Sequence, residues 1–125
     1  MYYKLRVLVS TKSSNKKRQL NILLAEDEDI YQQIIESYIE SLGLKITIVE
    51  DGKKCLAEAA DHTYDIILMD IEMPEKNGLE ATREIREKGI KTPIIAVTSN
   101  TWREDEITSK ESGMNDFIAK PLTRS

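Results

Sequence analysis

Asp65-Ile66-Ile67-Leu68-Met69-Asp70 is a short apolar run that ends in an acid. Its core, Ile66-Ile67-Leu68, shows no alternation of polar and apolar positions, so both faces of the segment call for cover. That is the pattern of a strand inside a parallel sheet with helices on both sides. Toward the N-terminus, Ile22-Leu23-Leu24-Ala25 is a second such run, and it ends in Glu26-Asp27. Toward the C-terminus, Ile94-Ile95-Ala96-Val97 leads into Thr98-Ser99, and Phe117-Ile118-Ala119 leads into Lys120-Pro121. In an open parallel sheet, ligands bind beyond the carboxyl ends of the strands, where the strand order reverses. Acids, a hydroxyl and an ammonium at such ends therefore predict one shared site. Convergent carboxylates there attract a hard divalent cation.

The rest of the chain fits this frame. From residue 21 onward strand and helix alternate five times, the signature of a doubly wound α/β fold. Strands are expected at 22–26, 45–50, 65–70, 94–98 and 116–119. Ile30, Ile34, Ile35, Tyr38, Ile39 and Leu42 recur at helical spacing, and Gly43 follows as a stop. Further helices are expected at 52–61, at 78–88 with Gly89 after it, and at 101–112 with Gly113 after it. Right-handed crossovers make the sheet order 2-1-3-4-5 a plausible one.

The set Glu26, Asp27, Asp70, Thr98 and Lys120, each at a strand end, resembles the receiver (response-regulator) domain of two-component signalling. Met73-Pro74 and Gly78 after Asp70 strengthen the match. Ile22 to Glu28, Met69 to Pro74 with Gly78-Leu79-Glu80-Ala81-Thr82, and Gly113 to Phe117 look most like the receiver of a hybrid sensor histidine kinase. The resemblance covers residues 21–122 and implies a flavodoxin-like sheet.

It also implies roles. Asp70 would be the phosphorylation site, accepting a phosphoryl group from a kinase histidine. Mg²⁺ (or Mn²⁺) would be held by Glu26, Asp27, Asp70 and the backbone carbonyl of Glu72. Lys120 would place a compact charge on a phosphoryl oxygen, and Thr98 a hydroxyl hydrogen bond. Thr98 and Phe117 would form a switch, the hydroxyl moving toward the phosphoryl group as the ring turns inward. The Lys120–Pro121 peptide would be cis. Glu72 and Asn100 would influence the lifetime of the acyl phosphate. The first helix, through Ile30, Tyr31 and Ile34, would dock a histidine kinase or a histidine phosphotransfer protein. A competing reading is a stand-alone receiver acting as a phosphorylation-controlled binding module or scaffold. An aspartate-nucleophile phosphohydrolase fits less well, because its second aspartate would fall at Glu72.

Both ends depart from the family pattern. Leu122-Thr123-Arg124-Ser125 stands where a final helix would begin, so that helix is expected to be lacking. Some other segment should then cover its face. Residues 1–20 hold Lys4, Arg6, Lys12, Lys16, Lys17 and Arg18 with no acid, and read as a basic arm or linker before a receiver domain at 21–125. Within the arm Leu5, Val7 and Val9 alternate like a half-buried strand, which would join a sheet edge or exchange with another copy in a homodimer, or mark a fragment of a larger protein.

The rest of the chain carries 12 basic and 22 acidic residues, a balance that repels nucleic acid. No direct DNA binding is expected. With no stretch approaching the roughly 20 apolar residues of a membrane span, and no secretory signal, a cytoplasmic location is expected. Cys55 reads as a small buried side chain, His62 as no phosphoryl donor, and Trp102 as either core or partner face.

Overall fold

The computed structural model describes residues 19–99 and 103–120, together with Arg6 and Ser10; side chains at 103–105 are excepted. Five strands, β1 (Asn21–Ala25), β2 (Lys45–Val49), β3 (Ile66–Asp70), β4 (Ile94–Thr98) and β5 (Asp116–Ala119), form one parallel sheet. Its order is β2-β1-β3-β4-β5, as the sequence suggested. The helices are α1 (Asp29–Ser41), α2 (Gly52–Asp61), α3 (Gly78–Glu87) and α4 (Arg103–Ser112). Observed bounds lie within two residues of those expected. The receiver resemblance is thus correct about the flavodoxin-like architecture.

Strand burial follows position in the sheet. β3 and β4 are buried at every residue, whereas the edge strand β2 alternates between exposed and half-buried positions before ending in buried Val49. Because strand side chains alternate in direction, each central strand feeds two cores. Ile22, Leu24, Ile66, Leu68, Ile95, Val97 and Ile118 gather with Ile35 and Ile39 of α1 on one side. Leu23, Ala25, Ile67, Met69, Ile94 and Ala96 gather on the other with Cys55, Ala59, Ala81 and Ile85 of α2 and α3. Leaving water, these side chains supply the main driving force for the sandwich.

Local chemistry sets the helix starts next to the site. Asp51 caps α2, its side chain accepting from the Lys54 amide at 2.8 Å. Asn77 caps α3 and shares a capping box with Glu80, each side chain accepting from the other's amide. Gly78, the first residue of α3, lies so near the end of β3 that an added Cβ would stand 2.2 Å from the Asp70 carbonyl oxygen. Only glycine lets the chain turn back this close to the strand tip.

Within the basic arm, Arg6 and Ser10 are exposed with helical backbone, and no sixth strand joins the sheet among the described residues. Leu5, Val7 and Val9 lie outside the described residues. So do residues 121–125, on which the expected lack of a final helix bears; four helices follow the start of the sheet among those described.

Candidate functional site

The carboxyl ends of β1, β3, β4 and β5 bring the expected residues to one edge. Glu26 follows β1 directly and is fully buried; Asp27 after it is exposed. Asp70 ends β3 and is 3 % exposed, Thr98 ends β4, and Lys120 follows β5. Parallel pairing fixes the levels. Asp70 stands beside Val97, the residue before Thr98, and Thr98 stands beside Ala119, the residue before Lys120. The Lys120 amide also donates to the Thr98 carbonyl at 2.8 Å, continuing the ladder one step past the strand.

At the centre is a buried charge cluster of two acids and one base. Lys120 Nζ donates to Asp70 Oδ2 at 3.2 Å, lies 2.8 Å from Glu26 Oε1 as an ion pair, and is 3.7 Å from Oε1 of the exposed Glu28. One ammonium therefore serves two buried carboxylates. Burial pushes Asp70 up to about 7, the neighbouring Glu26 charge adding to the rise and Lys120 opposing it. Burial also raises Glu26, against hydrogen bonds from Lys120 and the Glu28 amide. For Lys120, burial acts to lower the value, yet its contacts with Glu26 and Asp70 outweigh that and raise it.

Glu26, Asp27 and Asp70 also fit a cation. One carboxylate oxygen from each lies within 4.8 Å of the others. Glu26 Oε1 is wholly buried, with the Lys120 ammonium as its partner at 2.8 Å. A hard divalent ion suits such an all-oxygen donor set, and its charge would offset the repulsion that raises Asp70. Glu72 is exposed, and its amide reaches Asp70 Oδ1 at a long 3.4 Å.

Other expected residues stand farther off. Phe117 is half-buried, two residues below the sheet edge, and packs against the core beneath α2 and α3. Ile30 is 49 % exposed at the start of α1, consistent with either docking or solvent contact. Asn100, Trp102 and the peptide bond into Pro121 fall outside the described residues. Burial pushes the Cys55 thiol up to about 12, so this cysteine is inert filling, as expected.

Two contacts near the site were not foreseen in the sequence. Gln32 Nε2 donates to the Glu26 carbonyl oxygen at 2.6 Å, tying the β1–α1 turn to the first turn of the helix. Tyr31, expected on the docking face, also sets its ring 4.3 Å from Lys120 Nζ.

The model of the response regulator receiver domain family matches residues 22–125, and the chain belongs to that family. It is 37 % identical over 108 residues to the transcription factor SKN7 of Saccharomyces cerevisiae, covering 86 % of this chain and 17 % of that protein. It is 41 % identical over 110 residues to hybrid signal transduction histidine kinase I of Dictyostelium discoideum, covering 81 % of this chain and 6 % of the kinase. The chain thus spans a small part of these curated relatives. Among solved structures, the receiver domain of sensor histidine kinase PA1611 from Pseudomonas aeruginosa PAO1, which has magnesium coordinated in its active-site cleft, is 42 % identical with a TM-score of 0.77, over 85 % of this chain and 88 % of that one.

Proposed function

We propose that this receiver takes a phosphoryl group on Asp70 from the phosphohistidine of a histidine kinase, as one step of a two-component phosphorelay. The observation that carries the reading is the clustering of Asp70 with Glu26, Asp27 and Lys120 at the sheet edge. In the step, an Asp70 carboxylate oxygen attacks phosphorus, the P–N bond breaks, and the imidazole leaves with its electron pair. A carboxylate is a weak nucleophile, so positioning and charge neutralisation must supply most of the acceleration.

Each residue then has a defined task. Glu26, Asp27, Asp70 and the Glu72 carbonyl would hold Mg²⁺, which supplies Lewis-acid neutralisation of phosphoryl charge when bound. Lys120 is already hydrogen-bonded to Asp70 and donates a compact positive charge to the oxygens that arrive there. Thr98, buried at the neighbouring strand end, offers its hydroxyl to the same group. Phe117 reports the change by moving deeper into the core beside it. Similarity to a hybrid kinase and to a sensor-kinase receiver supports a kinase as donor, with a histidine phosphotransfer protein as the next carrier.

Phosphotransfer from a phosphorylated histidine kinase tests this. Label should move to the chain with Mg²⁺ present, stay on the kinase in chelator, and be released from the chain by hydroxylamine as an acyl phosphate is. Label that arrives equally well in chelator, or that resists hydroxylamine, would reject the reading.

A further inference from the structure

The Lys120 ammonium is held from more than one side. Carboxylates of Glu26 and Asp70 approach at 2.8 and 3.2 Å, and the Tyr31 ring stands 4.3 Å from the nitrogen. The side chain is 3 % exposed, so water does little to stabilise the charge. An aromatic face attracts a cation through its quadrupole, and the attraction grows as water is excluded.

The carboxylate contacts conflict with cation binding. Glu26 and Asp70 each place one oxygen in the candidate metal cluster, and the same two side chains hold the ammonium. A dication taking those oxygens would weaken the ammonium's ion pairs and repel it as well. Tyr31 carries no charge for the metal to claim, and an ammonium loosened from the carboxylates settles closer over the ring, so this attraction grows when the cation is bound.

We propose that Tyr31 is a positioning residue whose ring face retains the Lys120 ammonium beside Asp70 when a divalent cation occupies the carboxylates. The inference rests on the Mg²⁺ site of the proposed function. On this account the ring matters more in the loaded state than in the empty one, so removing it weakens metal binding although Tyr31 is no ligand. The phenol hydroxyl is dispensable.

Calorimetric titration with MgCl₂ tests it on the full chain. Tyr31→Phe should bind as the wild type does, and Tyr31→Leu about three- to tenfold more weakly, in line with a partly desolvated cation–aromatic contact. With Lys120→Met already present there is no ammonium to retain, and adding Tyr31→Leu should leave affinity unchanged. A ring that merely shaped the turn would cost the same in both backgrounds. Thermal melting checks that each variant folds, and Tyr31→Met replaces Tyr31→Leu should the latter fail. The inference is overturned if Tyr31→Leu matches the wild type, if Tyr31→Phe is as weak as Tyr31→Leu, or if the loss persists beside Lys120→Met. A wild-type chain that takes up no Mg²⁺ would instead remove the metal site itself.

Discussion

Asp65 and Asp70 flank the same strand, both buried, and their surroundings differ in kind. At the amino end, Asp65 Oδ2 accepts the Asn21 amide at 2.8 Å while the Asp65 amide donates to the Asn21 carbonyl at 2.9 Å. This reciprocal clamp fixes where β1 and β3 begin. At the carboxyl end, Asp70 has a long 3.4 Å amide contact and must share one ammonium with Glu26. Burial with a backbone donor makes a carboxylate structural. Burial opposite another carboxylate leaves a group whose charge is poorly compensated and open to chemistry.

The largest separation between the two should appear in covalent labelling. Incubation with acetyl phosphate and Mg²⁺ should label the wild type and Asp65→Ala, and essentially abolish label in Asp70→Ala. Intact-mass spectrometry reads this directly, and equal labelling of both variants would erase the distinction. Loss in Asp65→Ala is interpretable only with thermal melting beside it, since the clamp supports the fold.

A difference of about 4 kcal/mol is expected between the wild type and Asp70→Asn in chelator at pH 8, the variant being the more stable. The sign follows from the proton balance. Asp70 is raised from 3.8 to about 7, so the folded chain holds this proton more tightly than the unfolded chain does. Its contribution is favourable at low pH and is lost as pH rises through that interval. Urea melts of both proteins should therefore converge toward pH 4, and a constant gap would argue against an uncompensated carboxylate at this end.

Mg²⁺ should act on one end alone. At a hundred times its dissociation constant, a ligand bound only by the folded chain stabilises it by about 2.7 kcal/mol. The wild type and Asp65→Asn should show that rise in thermal melts, and Asp27→Ala much less of it. Similar stabilisation of all three would place the cation elsewhere.

How legible these features were depended on the distance over which their cause acts. Asp70, Thr98 and Lys120 could be assigned because each ends or follows an apolar run, and a parallel sheet delivers such ends to one edge whatever the loops between them do. Gly78 was tied to the opening of α3, but the close approach to the Asp70 carbonyl that demands it appears only in three dimensions. The contact of Tyr31 with Lys120 was not foreseen because helical periodicity defines a stripe and does not say which end of the stripe curls over the sheet.

The finest test compares one substitution at both ends of β3. Asp→Asn keeps shape and an acceptor oxygen while removing charge, so it isolates what the charge does. At Asp70 the change should stabilise the metal-free chain, as argued above. At Asp65 the amide oxygen can still accept from Asn21, but a charge-assisted hydrogen bond becomes a neutral one, which costs about 1 kcal/mol. For a chain of this size that is about 4 °C in melting temperature. Opposite signs on one strand, measured in the same chelating buffer, would mean that surroundings and not burial alone decide a carboxylate's role. Stabilisation by Asp65→Asn would instead put both acids in the same class, and the clamp would lose its claim to be structural.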